Sequence, residues 1–460
     1  MTRMTIALLA AFVLTGVSLA QDKQLPPEGG TPKNFALPDK TSFALDNGLQ
    51  VTLVPFGEVP KVTIRVVVRS GNINEGENTW LADLSGDFLL EGTSSRSADD
   101  IAREAASMGG EVNVSVGEDL TSINGEALSE FAPYMAKLVA DVAMNPAFPE
   151  AELARLKKDR LRQLSVARTQ PQQMATAAFR KAMYPDHPYG NLFPTDEQLE
   201  AYTIDDAKAF YAENFGAQRS HVYVAGKFDK AAIRSAIEAA FGDWARGPDV
   251  YTNVPTPIDG KVVVDVVDRP GAVQSNLYLG IPVVAPGHDD YIAMQVSNTL
   301  LGGFFSSRIT RNIREDKGYT YSPFSMLSTR YRDAYWAQVA AVTTNVTGPA
   351  LQEIMKEVDE LQKNPPPEDE LQGVKNYASG VFVLQNSTRG GIISQLSNLE
   401  LHELPDEYLT NWVSKVHALT PEQISATAAK YLRKDDMTLV VVGDRSQISE
   451  QVADFMKSPE

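Results

Sequence analysis

The sequence of 460 residues contains no cysteine, so no disulfide can cross-link the chain and its stability has to come from packing. The amino terminus has one positive charge, an apolar run from Thr5 to Val17, and small residues at Ser18 and Ala20. This pattern predicts a signal peptide over residues 1–20 and an exported chain. A membrane anchor is the alternative, but the run is shorter than the ~20 residues that span a bilayer. No other run of that length follows, so no membrane span is expected after cleavage.

Positive charge is also scarce. The chain has 42 Lys and Arg residues against 59 Asp and Glu residues, which gives a net charge of -17. A nucleic-acid partner would need a basic face, so the acidity argues against this class of function. The acidity favours solubility, and an acidic cavity that attracts basic peptides is the alternative.

The chain has few histidines, and none of them are paired. A helical zinc site needs two histidines that share one face of the helix, and no such spacing occurs here. Ordinary structural or surface roles are therefore expected for all five. They are His187, His221, His288, His402 and His417.

Two parts of the chain repeat each other. Residues 203–226 and 420–443 have the same length and register, and each reads as a Thr-capped amphipathic helix, a turn and an apolar strand ending in Gly. The segments "NPAFPEAEL" at 145–153 and "NPPPEDEL" at 364–371 correspond in the same order. Two matching pairs at offsets of 217 and 219 residues indicate a duplication.

The repeat predicts the domain organisation. Each half has strands first, then helices, then a strand, which is typical of an α+β fold. We therefore predict two homologous halves, each an antiparallel sheet backed by helices. Residues 21–245 form the first half and residues 261–460 the second. The stretch 246–260, rich in Pro, Gly and polar residues, is predicted to be a linker.

The stretch "WLADLSGDFLLEGT" at 80–93 is predicted to be helical. It resembles the inverted zinc motif H-x-x-E-H, followed by G-T, of the pitrilysin/insulinase peptidases, which include the mitochondrial processing peptidases. In that motif two histidines bind Zn²⁺ and the glutamate activates the metal-bound water. The resemblance places the histidines at Asp83 and Asp87 and the glutamate at Gly86. The family's third ligand, a glutamate, falls at Gln163.

None of these four residues suits zinc. Two carboxylates and an amide are oxygen ligands for hard cations, and Gly86 provides no base. We therefore expect no metal and no catalytic residue in this chain, with Asp83 and Asp87 on a solvated or cavity-lining helix face. The alternatives are a Ca²⁺ or Mg²⁺ site, or an active peptidase that uses the two aspartates together with Gln163.

The resemblance covers about residues 35 to 455. The segment "GGEVNVSV" is similar to a strand of the family whose asparagine corresponds to Asn113. In the second half, "LLGGFFSSRI" is similar to a glycine-bearing loop, with Gly302 and Gly303 at the glycine positions. The resemblance implies that these three residues line a substrate chamber.

In the family, an arginine and a tyrosine seven residues later face the zinc across that chamber. Arg314 and Tyr321 have this spacing. A guanidinium and a phenol both donate hydrogen bonds and can stabilise the oxyanion that forms during peptide hydrolysis. The stretch from Tyr319 to Ser322 is predicted to be a strand, and the alternative is that Arg314 pairs with Glu315 or Asp316 while Tyr321 packs in the sheet.

The resemblance also implies a function. Some short family members keep the zinc helix and the Arg/Tyr pair on separate chains, and this chain resembles the one without zinc. We expect a non-catalytic, periplasmic subunit that forms half of a clamshell with a zinc-bearing homologue and encloses unstructured peptides. The zinc is expected in the partner, so whether this chain counts as an enzyme stays open. A purely structural or peptide-binding scaffold is the alternative.

Overall fold

The computed structural model describes residues 33–250 and 264–456. The predicted signal peptide at 1–20 and most of the predicted linker at 246–260 lie outside these residues. No helix in the described ranges is both long and apolar enough to cross a bilayer.

The strands of the described residues form two sheets. The first sheet has the order β1-β2-β6-β3-β5-β4 and the second the order β7-β11-β8-β10-β9. The strands are β1 (Thr41–Ala44), β2 (Gln50–Pro55), β3 (Lys61–Val68), β4 (Val112–Val116), β5 (Thr121–Leu128), β6 (Ser220–Gly226), β7 (Val264–Asp268), β8 (Gln274–Pro282), β9 (Phe324–Arg330), β10 (Asp333–Thr343) and β11 (Thr438–Gly443).

Helices connect and cover the strands, and a π-helix over Arg311–Asp316 continues α10. The helices are α1 (Leu81–Phe88), α2 (Ala98–Ser107), α3 (Ala132–Met144), α4 (Glu150–Thr169), α5 (Pro171–Met183), α6 (Asp196–Ala201), α7 (Ile204–Asn214), α8 (Lys230–Phe241), α9 (Tyr291–Leu301), α10 (Arg308–Thr310), α11 (Thr347–Lys363), α12 (Glu368–Gln385), α13 (Arg389–Leu401), α14 (Glu407–Thr410), α15 (Trp412–Ala418), α16 (Pro421–Tyr431), α17 (Arg445–Ile448) and α18 (Ala453–Met456).

The α+β class and the two similar sheets are confirmed. Neighbouring strands are antiparallel except for one parallel pair in each sheet, β2 with β6 and β7 with β11. The last strand of each half, β6 or β11, inserts between two strands of opposite direction. It must therefore run parallel to one of them, so each sheet is mixed rather than wholly antiparallel.

Helices α7 and α16 begin at the predicted threonine caps. The Thr203 side chain accepts a hydrogen bond from the amide of Asp206, and the Thr420 side chain accepts one from the amide of Gln423. Each cap satisfies an amide that the first helical turn leaves without a partner. Both helices lead to the last strand of their half, so the predicted duplicated helix and strand occupy equivalent places in the two sheets.

One helix of each half packs against the sheet of the other half. Helix α5 packs against β8 and β11, where the ring of Phe179 stacks on Tyr278 with centroids 4.3 Å apart. Helix α13 packs against β3 and β6, and Arg389 at its start donates a hydrogen bond to Thr63. Pro171 and Arg389, the first residues of these helices, are 218 positions apart (389 minus 171), close to the repeat offset. The exchange joins the two halves through their cores.

A buried ionic cluster holds the junction between the halves. Glu118, in the loop between β4 and β5, pairs with Arg180 of α5 at 2.7 Å and with Arg330 at the end of β9. Arg330 is 2% exposed. Its guanidinium carbon lies 5.0 to 5.4 Å from the ring centroids of Tyr184, Tyr189 and Tyr335. A charge at this depth needs a partner. The ion pair of Arg330 with Glu118 therefore connects β9 to the β4–β5 loop.

Candidate functional site

The helix predicted within residues 80–93 is α1. Its N-cap residue, Trp80, has a left-handed backbone (φ 67°) and offers no side-chain cap. Instead, the carboxyl group of Glu75 accepts hydrogen bonds from the amides of Trp80 and Ala82, both at 3.0 Å. Burial raises the pKa of Glu75 to about 8, although these hydrogen bonds favour its ionised form. A buried side chain thus supplies the cap that the local sequence lacks.

A guanidinium lies between the two aspartates of α1. Arg160, on α4, forms two hydrogen bonds of 2.8 Å with the two carboxylate oxygens of Asp87. Its Nη1 donates to Oδ1 of Asp83 at 3.2 Å and to Oε1 of Gln163 at 3.3 Å. All three side chains at the family's metal-ligand positions therefore bind one cation, which is the guanidinium of Arg160.

The surroundings of Arg160 stabilise its charge. Its side chain is only 14% exposed. Burial disfavours the charged guanidinium, but the hydrogen bonds and charges of Asp87 and Asp83 raise the pKa of Arg160. Burial raises the pKa of Asp87 as well, and the hydrogen bonds from Arg160 oppose that shift. A two-pronged contact between arginine and carboxylate is the strong geometry for such a pair. The aspartates are thus ion-paired, in place of the solvated face that the sequence suggested.

Gly86 has a packing role that the sequence did not show. A Cβ atom at this position would lie 2.5 Å from Cγ2 of Val116 on β4, closer than carbon atoms approach. Only glycine therefore allows β4 to pack against α1 here. Glycine inside a helix costs about 1 kcal/mol relative to alanine, and the contact with Val116 accounts for its presence. A glutamate at this position would collide with β4.

The residues of this site do not fit zinc. Two of the ligand positions hold carboxylates already bound to Arg160, and the third holds an amide. Within residues 33–250 and 264–456, no group of three or more His, Asp or Glu side chains is placed to hold a metal ion. The guanidinium would also repel Ca²⁺ or Mg²⁺ at this place, which argues against a hard-cation site. The contacts therefore make this cluster a structural ion pair.

A cavity of about 690 Å³ lies beside this cluster. Asp87 and Arg160 line one part of it, so the expectation that Asp87 borders a cavity agrees with the structure. The rings of Trp80 and Phe193 line another part and meet edge to face, with centroids 6.1 Å apart. This cavity has charged walls, and it opens next to the helix that carries the zinc motif in the family.

Restoring the family residues should not restore zinc binding while Arg160 is present. The variant with all four family residues combines Asp83→His, Gly86→Glu, Asp87→His and Gln163→Glu. We expect it to bind less than about 0.1 zinc per chain, because Arg160 fills the centre and Val116 blocks the glutamate. Adding Arg160→Ala and Val116→Ala should raise zinc towards one per chain, measured by mass spectrometry on samples whose folding is checked by circular dichroism. Stoichiometric zinc in the four-residue variant would contradict this prediction.

The second predicted site lies on the other half of the chain. Arg314 is in the π-helix that follows α10, a rare geometry that is frequent at functional sites. Its guanidinium carbon lies 4.1 Å from the ring centroid of Phe305 and 5.3 Å from that of Tyr321. Among the described residues, Arg314 forms no ion pair with Glu315 or Asp316. The two predicted donors thus lie together, and Phe305 is a third member that sequence reasoning missed.

The prediction of a strand through Tyr319 to Ser322 is wrong, because the structure does not show one there. Only Thr320 forms an isolated bridge, to Val342, and β9 begins later, at Phe324. Tyr321 is 81% exposed. An alternation of four residues is too short to fix a strand. The phenol therefore stands in solvent, where it could reach another molecule.

The remaining predicted residues lie near the edge strands of the two sheets. Asn113 is exposed on β4, the edge strand of the first sheet. Gly302 is buried. Its carbonyl oxygen accepts a hydrogen bond from the amide of Ser325, and a Cβ atom at this position would lie 2.6 Å from Oγ of that serine. Gly303 is exposed and borders a cleft next to β9. In the described residues, no hydrogen bond or ring contact connects these residues with the cluster around Arg160.

Sequence comparisons identify similar proteins over most of the chain. Residues 57–195 match the family model for Insulinase (Peptidase family M16), and residues 201–377 match the model for the Peptidase M16 inactive domain. The chain is similar to the uncharacterized zinc protease YmxG of Bacillus subtilis, with 24% identity over 85% of this chain and 96% of YmxG. An uncharacterized zinc protease of Streptomyces coelicolor is 23% identical over 86% of this chain and 88% of its own.

Two solved structures have a similar fold. One is a peptidase M16 inactive domain from Pseudomonas fluorescens, with a TM-score of 0.81, 24% identity, and coverage of 88% of this chain and 98% of that chain. The other is a protease from Helicobacter pylori, with a TM-score of 0.82, 20% identity, and coverage of 89% and 100%. Coverage this high means that the similarity extends over both sheets.

Proposed function

Because the chain belongs to the insulinase (M16) peptidase family and its zinc-ligand positions are occupied by an internal ion pair, we propose that it is the non-catalytic subunit of an exported zinc peptidase. In this proposal it pairs with a zinc-bearing homologue, and the two chains enclose unstructured peptides. Arg314 and Tyr321 act in trans on the peptide that the partner cleaves. The observation that carries the proposal is the contact of the half-buried Arg314 with the exposed Tyr321, which is separate from a metal site closed by Arg160.

A subunit without a metal can still contribute to hydrolysis through its hydrogen-bond donors. A guanidinium and a phenol can both donate to the oxyanion that develops on a peptide carbonyl. Tyr321 is 81% exposed, and Arg314 lies against the ring of Phe305. The contact with Phe305 favours one orientation of the Arg314 guanidinium before a peptide arrives. One preorganised donor of this kind stabilises the transition state by about 3 kcal/mol.

The amino terminus supports the proposed compartment. Residues 1–20 have the charge and apolar pattern of a signal peptide, which supports export, with the periplasm as the proposed destination. The absence of cysteine is compatible with an oxidising compartment, because no thiol is available there for unwanted cross-links.

Co-expression with a zinc-bearing M16 homologue of the same organism tests the proposal. We expect the two chains to purify together and to cleave unstructured peptides, while the zinc-bearing chain alone is much less active. Two results would count against the proposal: no association between the chains, or equal cleavage by the homologue without its partner. If this chain is isolated without any peptidase and binds peptides without cleavage, the scaffold function replaces the subunit function.

A further inference from the structure

The guanidinium of Arg314 is held by aromatic rings and not by an acid. Its carbon lies 4.1 Å from the ring centroid of Phe305 and 5.3 Å from that of Tyr321. In the parts of the chain that the structure describes, the Arg314 side chain takes part in no hydrogen bond and no ion pair. A guanidinium has five N–H donors. All of them therefore remain available to another molecule.

Arg160 is the opposite case. Its Nε and Nη2 each donate to a carboxylate oxygen of Asp87. Its Nη1 donates to Asp83 and Gln163. An acid thus fixes an arginine by using up its donors. An aromatic face attracts the cation electrostatically and has no lone pair to accept those hydrogen bonds. A ring can therefore fix an arginine and leave its donors free, which is what a group that binds an oxyanion needs.

The loop that carries Phe305 is fixed on both sides of this residue. The ring of Phe304 stacks on Tyr377 of α12, with centroids 4.7 Å apart and planes 29° apart. On the other side, Ser307 is 1% exposed, and its hydroxyl donates a hydrogen bond of 3.0 Å to Thr310. Phe305 itself is 62% exposed. Its position is thus set by the neighbouring residues of the loop and not by burial of its own ring.

The π-helix that carries Arg314 is anchored to α11. Nδ2 of Asn312 donates to Glu353 at 2.9 Å and to Glu357 at 2.6 Å. Lys317, which follows the π-helix, pairs with Glu353 at 3.1 Å. These contacts fix the backbone of the π-helix and give both carboxylates partners other than Arg314. The backbone is therefore held on each side of the Phe305–Arg314 contact, and the orientation of the guanidinium depends on the ring.

We propose that Phe305 is the positioning residue of Arg314. Its ring holds the guanidinium in one orientation and, because it is not an acid, leaves the N–H donors free for a peptide carbonyl. Phe305 is closer to the guanidinium than Tyr321 is, and it is less exposed, so it gives the firmer support. The expected effect on cleavage rests on the proposed function, but the contact belongs to this chain and needs neither a partner nor zinc.

Nuclear magnetic resonance on the isolated mature chain tests the contact itself. The signal of the Arg314 Nε–Hε group is assigned by its loss in Arg314→Lys. We expect an order parameter above about 0.6 in the wild type and below that value in Phe305→Leu, with loss of the ring-current shift. Tyr134→Leu is the matched control, since Tyr134 is 59% exposed and has Lys137 at 5.9 Å from its ring centroid. It should leave the Arg314 signal unchanged.

Cleavage by the complex with the zinc-bearing homologue tests the consequence. Phe305→Leu should lower kcat roughly fivefold and leave KM within about twofold, because a mobile donor loses transition-state contacts. Phe305→Glu should lower kcat roughly 50-fold or more, because a carboxylate would occupy the donors and repel the oxyanion. Phe305→Tyr should restore most of the rate that leucine loses. Tyr134→Leu should stay within about twofold of the wild type, and circular dichroism checks that all variants fold.

Three results would overturn the inference. The first is an Arg314 signal of equal mobility in the wild type and Phe305→Leu. The second is wild-type cleavage by Phe305→Leu and Phe305→Glu while Arg314→Ala is strongly impaired. The third is a rise in KM alone, which would mean that the ring binds the peptide and does not position the donor. If Arg314→Ala cleaves normally, the proposed function of Arg314 fails, and the mobility of its side chain alone decides whether Phe305 positions it.

Discussion

Replacement of Arg314 by alanine is expected to lower peptide cleavage by the complex with the zinc-bearing homologue about 100-fold or more. Loss of one oxyanion donor typically lowers kcat by about 10² to 10³. Tyr321→Phe removes only the phenol hydroxyl and keeps the ring that lies 5.3 Å from the guanidinium carbon. We therefore expect a loss in the same range for that variant. The measurement is the initial rate of cleavage of an unstructured peptide at saturating concentration.

Arg311→Ala is the matched control for this prediction. Arg311 is exposed and lies in the same π-helix as Arg314. Its loss should change the rate by less than about twofold, and gel filtration should show that all variants still form the complex. If Arg314→Ala and Tyr321→Phe also leave the rate within about twofold, the two residues play no part in hydrolysis.

Replacement of Arg330 by alanine is expected to lower the free energy of unfolding by about 3 to 5 kcal/mol. Arg330 is 2% exposed and pairs with Glu118 in the loop between β4 and β5. Its removal leaves Glu118 with Arg180 as its remaining cation and opens a hole among three tyrosine rings. Because the cluster joins the two halves, its loss should weaken their association as well as the local packing.

Arg332→Ala gives the comparison for Arg330. The Arg332 side chain is 57% exposed and pairs with Glu403 at 2.6 Å. Exposed ion pairs contribute about 0 to 1 kcal/mol, so this variant should lose no more than that. Denaturant unfolding, followed by tryptophan fluorescence, measures the free energy of unfolding of both variants. Trp336, which is fully buried in β10, serves as a probe. Losses of similar size in the two variants would show that the buried cluster is not a major source of stability.

Features set by a few neighbouring residues could be predicted from the sequence. The caps at Thr203 and Thr420 depend on side chains three residues away, and both are present. Asn-Gly is a pair typical of turns, and the turn at Asn47 and Gly48 precedes β2, with Gly48 at a φ of 93° that favours glycine. Such signals do not depend on the rest of the fold.

The role of Arg160 was missed, although the sequence contains a signal for it. Two aspartates four residues apart on a helix repel each other, so a cation nearby stabilises them. Arg160 precedes Gln163 by three residues, so both lie on one face of α4. The family's ligand positions do not include Arg160, so the resemblance alone does not point to it. The match between Gly86 and Val116 has no local signal, because it arises from the packing of a helix on a strand 30 residues away.

The exchange of α5 and α13 could not be predicted either. An amphipathic pattern shows that a helix has a face to bury, but it does not show which sheet that face covers. The parallel pairs in each sheet have a similar origin. They follow from the insertion of β6 and β11 between earlier strands, which only the assembled sheet determines.

In this chain an arginine has taken the place of the metal, and zinc binding by the isolated chain is the decisive measurement. Mature chain purified alone would be incubated with an equimolar amount of zinc, desalted, and analysed for bound metal and for cleavage of an unstructured peptide. We expect a chain that is essentially free of zinc and inactive, because Arg160 occupies the space between Asp83 and Asp87. One tightly bound zinc per chain, together with cleavage that a chelator abolishes, would contradict it.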